Sequence, residues 1–320
     1  MGGGTLTFST DTGALTLPAD MLSGIAGEGS EAKITIGLGD KSGLPDVVKN
    51  AVSGRPLIEI AITIDGKPVQ WKNPAAPVTV SIPYTPTAEE LQNPDAIVIW
   101  YIDGSGNPVC IPNGLYDAAT GAVTFTTTHF SLYAVGYNKV SFGDVAENDR
   151  YYKAISFIAA RGVTSGTGNG NYSPAAGLKR GEFIVLLMNA YGIAPDTDPV
   201  NNFSDAGSTW YTGYLAAAKR LGISAGVGNN LYAPGKALTR QEMFTLLHNA
   251  LKVIGQLPQG DSGRTLSGFA DAGSIADWAK EAMTLLVKTG IIGGDTGVLT
   301  PIYTATRAEM AQALYTLLSK

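Results

Sequence analysis

The chain has 320 residues, of which 44% are hydrophobic and 15% charged, and its formal net charge is −5 at pH 7. This composition is typical of a globular protein with room for two domains. The absence of a basic surplus, or of basic runs interleaved with aromatic residues, excludes a nucleic-acid binder, and the single Cys110 excludes an intramolecular disulfide or a thiolate metal cluster.

The start of the chain carries no export signal of its own. Met1-Gly2-Gly3-Gly4 lacks a basic segment followed by an apolar run, and no stretch of about 18 apolar residues follows. We therefore expect no membrane span. We also expect the chain to be the C-terminal part of a longer exported protein whose signal lies upstream.

Residues 5–137 are predicted to form β-strands. Apolar and polar residues alternate within them, so that side chains two positions apart share one face of a sheet. The clearest segments are 34–36, 58–64, 78–82 and 123–125. Asp65-Gly66 favours a tight hairpin, and residues 103–107 favour another turn. Seven or eight such strands predict an all-β sandwich over residues 1–138.

After Tyr137 the spacing becomes helical and the chain repeats itself three times. Each copy has a Phe-x-Asp motif, an amphipathic helix ending at glycine, a proline, and an arginine six residues after that proline. The aspartates are Asp144, Asp205 and Asp271; the glycines Gly162, Gly222 and Gly290; the prolines Pro174, Pro234 and Pro301; the arginines Arg180, Arg240 and Arg307. We place the copies at residues 139–197, 198–262 and 263–320.

The start of each second helix carries a glutamate two residues after the arginine. In the second and third copies, Thr239 with Glu242 and Thr306 with Glu309 have the spacing of a capping box, which explains these glutamates without a functional role. Lys179 replaces the threonine in the first copy and should weaken that cap by about 1 kcal/mol.

The repeated arginine is harder to explain structurally, because a cation in the first turn opposes the helix dipole. A guanidinium matches a carboxylate or phosphate, so three of them predict a quasi-symmetric set of anion sites. An internal salt bridge to Asp144, Asp205 or Asp271 remains the alternative.

Two tryptophans, Trp210 and Trp278, each stand twelve residues before a helix-ending glycine, where the first copy has Arg150. They could stack on a sugar ring or pack between helices. His248 has no partner at metal-ligand spacing, so we expect no metal site.

These copies resemble the S-layer homology family, whose repeat runs from Phe-x-Asp through a helix ending in Gly-Ile or Gly-Val to Pro and Thr-Arg-x-Glu. The resemblance covers about 180 residues. It implies a mainly α, three-repeat pseudo-threefold prism that fastens an exported bacterial protein to the cell wall non-covalently. The ligand implied is a pyruvylated, and so acidic, secondary cell-wall polysaccharide bound in grooves between repeats, with no cofactor.

The resemblance also assigns roles to residues. Arg180, Arg240 and Arg307 would line the grooves, Asp144, Asp205 and Asp271 would be orienting or hydrogen-bonding acids, and Trp210 and Trp278 would be sugar platforms. The first copy departs from the pattern at Lys179 and Arg150, so its groove should differ in affinity or be structural. The second and third arginines are therefore favoured.

The leading domain resembles ZU5-like β-sandwiches through residues 126–135, and some of these cleave themselves at His-Phe-Ser. In that chemistry Ser131 would attack the carbonyl of Phe130 while His129 accepts the proton. The alternative is that His129 and Ser131 are polar positions around a buried Phe130. Besides self-processing, the other function we consider is that of a structural S-layer lattice subunit. For a wall anchor, the upstream part of the protein is expected to be an enzyme or an adhesin. Glycan hydrolysis by paired carboxylates has no support in the repeats.

Overall fold

The computed structural model describes residues 4–23, 25, 30–293 and 297–320. The chain forms two compact units, Met1–Val140 and Ser141–Lys320. The first three residues of the glycine-rich start lie outside the described residues.

The first unit is built mainly from strands. Its described residues form strands at Thr5–Thr10 (β1), Gly13–Pro18 (β2), Ala32–Leu38 (β3), Leu57–Ile64 (β4), Lys67–Val69 (β5), Val78–Pro83 (β6), Ile97–Ile102 (β7), Pro108–Ile111 (β8), Leu115–Asp117 (β9), Ala122–Thr127 (β10) and Leu132–Tyr137 (β11). Two short helices, Asp46–Val52 (α1) and Ala88–Gln92 (α2), and a 3-10 turn at Pro94–Ala96 interrupt them. The short strands β5, β8 and β9 explain why the structure has more strands than the seven or eight predicted, since three or four residues show little alternation.

The strands form two antiparallel sheets. One has the order β1-β2-β6-β10-β9 and the other β3-β4-β11-β7-β8, with β5 paired to β4. Alternate side chains from both sheets, such as Val80 and Phe125 from the first and Ile60 and Val135 from the second, share one buried core. The two sheets therefore pack face to face, and the prediction of an all-β sandwich is confirmed.

The predicted hairpin at Asp65-Gly66 joins β4 to β5. Both residues have positive φ angles, 50° and 76°, and Ile64 pairs with Lys67 across the turn. Aspartate and glycine tolerate this left-handed conformation, which matches the twist of the flanking strands.

The second unit contains the repeated helices. Among its described residues, α-helices occupy Tyr152–Ala160 (α3), Arg180–Ala190 (α4), Thr212–Arg220 (α5), Arg240–Val253 (α6), Lys280–Lys288 (α7) and Arg307–Leu318 (α8). Short 3-10 turns lie at Leu266–Gly268, Ala272–Ser274 and Asp277–Ala279. Each of the three copies thus supplies two α-helices.

The first helix of each copy ends at the predicted glycine. Gly162, Gly222 and Gly290 have φ angles of 69°, 74° and 72°. The following amide reaches back five residues, as from Val163 to the Ile158 carbonyl at 3.0 Å. This left-handed termination satisfies carbonyls at the helix end and is open to glycine because it lacks a Cβ.

Three short backbone segments close the copies into a ring. The Leu178 amide donates to the Ala305 carbonyl at 2.8 Å, Ala305 donates to Leu238 at 2.8 Å, and Leu238 donates back to Leu178 at 2.9 Å. All three residues are buried. Each copy therefore contacts both others through backbone hydrogen bonds.

The helices follow the same cyclic order. The second helix of each copy packs against the first helix of the next, α4 on α5, α6 on α7 and α8 on α3. Tyr214 Oη donates to Asn189 Oδ1 at 2.8 Å between α5 and α4, and the rings of Phe157 and Tyr315 lie 5.0 Å apart between α3 and α8.

Candidate functional site

The repeated arginines lie where the start of each second helix meets the post-proline turn of the next copy. The amides of Arg180 and Gly181 donate to the Lys236 and Pro234 carbonyls, both at 2.9 Å. Arg240 with Gln241 makes the same pair of bonds to Tyr303 and Pro301, and Arg307 with Ala308 makes it to Ala176 and Pro174. We call these contacts the 1–2, 2–3 and 3–1 junctions, which carry Arg180, Arg240 and Arg307 respectively.

Each arginine side chain is held inside its junction. Arg180 Nε donates to the Tyr232 carbonyl at 2.7 Å, Arg240 Nε to Leu299 at 2.7 Å, and Arg307 Nε to Tyr172 at 2.9 Å. Arg180 and Arg307 are only 5% and 4% exposed, and the Arg240 side chain is 13% exposed. The guanidinium groups thus do not project freely into solvent.

Two of the junctions add an aromatic ring to this packing. The guanidinium carbons of Arg180 and Arg307 lie 4.7 Å from the ring centres of Tyr232 and Tyr172. The tyrosine hydroxyls donate back to the carbonyls of the same arginines, at 3.1 Å and 3.0 Å. The 2–3 junction has Leu299 in place of the tyrosine, so Arg240 lacks this ring.

The repeated aspartates do not pair with the arginines. Asp144 accepts from the amides of Tyr172 and Ser173 at 2.8 and 2.7 Å. Asp205 and Asp271 accept the matching pairs of amides in their own copies. The hydrogen bond from the Tyr172 amide is the main reason that the pKa of Asp144 is lowered. The alternative of internal Arg–Asp salt bridges is therefore wrong; the aspartates fix the turn whose carbonyl accepts from the arginine.

Both predicted capping boxes are present. The Glu242 amide donates to Thr239 Oγ1 at 3.3 Å and the Thr239 amide to Glu242 Oε2 at 2.8 Å. Thr306 and Glu309 form the same pair, at 3.2 and 2.8 Å. In the first copy only the Lys179 amide bond to Glu182, at 3.1 Å, is made, and the lysine side chain supplies no cap.

The second oxygen of these glutamates has a role that the sequence did not reveal. Glu309 Oε1 pairs with Arg240 Nη1 across the 2–3 junction, and Glu182 Oε1 lies 3.8 Å from Arg307 Nη1 across the 3–1 junction. A capping glutamate of one copy thus supplies a counter-charge to the arginine of the preceding copy. Local spacing could not predict these pairs, because the partners belong to different copies.

The 1–2 junction breaks this pattern. Glu242 Oε1 accepts from Lys236 Nζ of its own copy at 2.9 Å. Burial raises the pKa of Glu242, but the Thr239 amide and Lys236 outweigh it, and the pKa lies below its usual value. Arg180 Nη2 is buried and has no hydrogen-bond partner among the described residues.

Both tryptophans are exposed, Trp210 by 61% and Trp278 by 56%, so neither is a core residue packed between helices. Trp210 precedes Tyr211, and a Cβ at Gly181 would lie 3.1 Å from Tyr211 Cδ1, so this segment borders the 1–2 junction. Gln241 Oε1 accepts from the Ala276 amide at 3.0 Å, two residues before Trp278, at the 2–3 junction. Their role as sugar platforms stays a prediction.

Two further residues noted in the sequence lie elsewhere in the repeats. Arg150 takes the tryptophan position in the first copy, with its guanidinium carbon 5.1 Å from the ring centre of Tyr151. His248 is buried in α6, with Nε2 4.0 Å from Glu281. In the part of the chain that the structure describes, no group of three or more His, Cys, Asp or Glu could hold a metal ion.

The His129-Phe130-Ser131 segment lies between β10 and β11. Ser131 Oγ donates to the Ile102 carbonyl at 3.2 Å, and His129 Nδ1 lies 3.5 Å from Thr127 Oγ1. Phe130 is buried, its ring 4.4 Å from that of Trp71. Burial, and then the charge of Lys72, lower the pKa of His129. Among the described contacts none joins the histidine to the serine, and the arrangement is that of polar positions around a buried aromatic side chain.

A ring of helix-pair repeats with buried cations and exposed aromatic side chains at its junctions defines a tandem-repeat module. The S-layer homology domain matches at residues 141–184, 202–244 and 268–311. The chain therefore carries three tandem S-layer homology domains.

The chain is similar to surface-layer proteins and to an amylopullulanase. It is 31% identical to an amylopullulanase of Thermoanaerobacterium thermosulfurigenes over 87% of the chain and 14% of that protein. It is 34% identical to the surface-layer 125 kDa protein of Lysinibacillus sphaericus, over 44% of the chain and 11% of that protein. The S-layer protein sap of Bacillus anthracis is 29% identical, over 54% of the chain and 20% of that protein.

The chain spans a fifth or less of the length of these relatives. The amylopullulanase alignment covers 283 residues, more than the second unit contains, so it extends into the β-sandwich. None of the described helices is long and apolar enough to cross a membrane. The S-layer homology domains and these relatives identify an extracellular, cell-wall-associated protein whose repeats serve cell-surface anchoring.

Proposed function

We propose that the second unit fastens its protein to the cell wall by binding a pyruvylated secondary cell-wall polysaccharide in grooves between the repeats. The observation that carries the proposal is the repeated arginine at each junction, with an exposed tryptophan bordering two of them. A guanidinium recognises carboxylates, and an exposed indole offers a face to a sugar ring.

The arrangement that we propose for this binding is a pseudo-threefold prism. The cyclic bonds among Leu178, Leu238 and Ala305 support it, as does the cyclic order of the helix pairs. In this arrangement the three grooves are related but not identical, because Leu299 replaces a tyrosine of the other copies and Arg150 replaces a tryptophan.

Pull-down on purified walls tests the proposal. We expect the chain to be retained on walls and released after hydrofluoric acid strips the polymer. Trp210→Ala combined with Trp278→Ala should weaken retention without unfolding, because both side chains are exposed, whereas Leu6→Ala, an exposed residue of the first unit, should not. Retention that survives stripping would contradict the proposal.

We further propose that the β-sandwich is a spacer and that the chain anchors the catalytic or adhesive region of a larger protein. The amylopullulanase similarity, which reaches into the sandwich, supports an enzyme as that region. Fusing the 320-residue chain to a reporter enzyme should bring the reporter's activity to the wall fraction. Activity that remains in the medium would count against it.

A further inference from the structure

The 1–2 junction differs from the others in the partner available to its arginine. At the 2–3 and 3–1 junctions a glutamate of the following copy, Glu309 or Glu182, faces the guanidinium. The residue in the same place at the 1–2 junction is Glu242. Its second carboxylate oxygen, Oε1, pairs with Lys236 Nζ instead. Glu242, the expected counter-charge of Arg180, is therefore paired with Lys236.

Lys236 explains why this happens at one junction only. It stands two residues after Pro234, where the other copies have Ala176 and Tyr303, neither of which can form an ion pair with a glutamate. Its backbone carbonyl accepts from the Arg180 amide, so the lysine belongs to the wall of the same junction.

The consequence is a buried cation with an unused donor. Arg180 is 95% buried, its Nε is bonded to the Tyr232 carbonyl, and Nη2 has no partner among the described residues. A buried charged donor without an acceptor is costly, so an external carboxylate at this position would remove that cost. At the other two junctions a glutamate already lies beside the guanidinium, at Nη1.

We propose that the 1–2 junction is the principal carboxylate-binding site of the module, with Arg180 as the anchor and Lys236 as the residue that keeps Glu242 away from it. This inference rests on the proposed function and narrows it to one groove. It reverses the expectation from the sequence, which favoured Arg240 and Arg307.

The access route follows from the exposure of the neighbours. Arg180 Nη2 is shielded from solvent, so a carboxylate reaches it only when a neighbouring side chain rotates. The Lys236 side chain is 57% exposed and Trp210 borders the same junction. A sugar carrying a carboxylate can thus contact the lysine and the indole as the acid reaches the arginine.

Calorimetric titration of the full chain with the methyl glycoside of a pyruvylated aminosugar tests this, with the same sugar lacking pyruvate as the ligand control. We expect one strong site per chain. Arg180→Gln should weaken it roughly tenfold or more, whereas Arg240→Gln and Arg307→Gln should change it by less than about threefold. Three equal sites, or equal losses for the three arginine variants, would overturn the inference.

A second pair of variants tests the role of Lys236 without touching the buried arginine. Lys236→Ala should weaken binding because Glu242 becomes free to face Arg180. Adding Glu242→Gln, which retains a capping residue at that position, should recover part of the lost affinity. If the double variant binds no better than Lys236→Ala, the diversion of Glu242 is refuted.

Wall anchoring and the assignment of the carboxylate site to the 1–2 junction can be tested separately. If the wild-type chain does not bind purified walls, the proposed anchoring function fails. If it binds walls but the three arginine variants lose affinity equally, only the assignment to the 1–2 junction fails.

Discussion

At the scale of single residues, equal positions in the three copies have unequal environments. Arg240 and Arg307 face glutamates of the following copy, whereas Arg180 keeps a buried nitrogen without a partner among the described residues. At the 1–2 junction the corresponding glutamate, Glu242, pairs with Lys236 of its own copy. The chemistry of the junctions thus depends on residues outside the repeated motif.

The aspartate that fixes each turn should matter for stability. Asp205 accepts two backbone amides, so Asp205→Ala leaves both without their charged acceptor. We expect the free energy of unfolding of the second unit to fall by about 2 kcal/mol, measured by urea denaturation. Asp277→Ala removes an exposed ion pair with Lys280 and serves as the control. Equal effects of the two substitutions would argue against a special role for Asp205.

Self-cleavage at Phe130 should not occur. The Ser131 hydroxyl donates to the Ile102 carbonyl, and no described hydrogen bond connects it to His129. Mass spectrometry after prolonged incubation should therefore give a single intact mass, for the wild type as for Ser131→Ala. Fragments that break between Phe130 and Ser131 in the wild type alone would refute this expectation.

The sequence predicted local features better than contacts between copies. The capping boxes and the Asp65-Gly66 hairpin depend on residues at most three positions apart, so spacing was sufficient to find them. The Arg240–Glu309 pair spans 69 positions, and the loss of its counterpart at the 1–2 junction depends on Lys236, so no local pattern could have indicated either.

At the scale of elements, the three second helices begin with different strength. The boxes at Thr239 and Thr306 are complete, whereas Lys179 contributes no side-chain cap to α4. The first turn of α4 also carries Arg180, so its stability bears on the 1–2 junction.

Exchanging the cap residues tests this difference. Lys179→Thr should complete the box and raise the free energy of unfolding by about 0.5–1 kcal/mol, and Thr239→Lys should lower it by a similar amount. Urea denaturation of both variants provides the comparison. A stability loss in Lys179→Thr would mean that the lysine has another role.

A buried carboxylate ties α2 to the chain that follows α1. Glu90 accepts from Arg55 Nε at 2.7 Å and Tyr84 Oη at 2.6 Å, besides capping at Thr87. Burial raises the pKa of Glu90, but the bonds from Tyr84, Thr87 and Arg55 outweigh it and hold the pKa below its usual value.

Because the pKa of Glu90 is lower in the folded state, its stabilisation is present above the usual pKa of a glutamate and is lost as the pH falls through the lowered pKa of the folded state. Thermal unfolding of the first unit should show this loss in the wild type and a weaker pH dependence in Glu90→Gln. Identical pH dependence in both would contradict the assignment.

At the scale of the whole molecule, two units of different design share one chain. The sandwich could be predicted from alternating residues, though not its shortest strands. The repeats could be recognised from their motifs, but their cyclic closure depends on backbone bonds among Leu178, Leu238 and Ala305, which leave no signature in side-chain patterns. The repeat motifs therefore identify the family without indicating how its junctions differ.

Binding of the full chain to wall polymer in two forms tests most directly whether the repeats recognise the pyruvate groups of the polymer. Polymer released from walls would be compared with the same polymer after mild acid has removed its pyruvate groups. We expect saturable binding to the pyruvylated form and a large loss of affinity for the other. Equal affinity for both would contradict it.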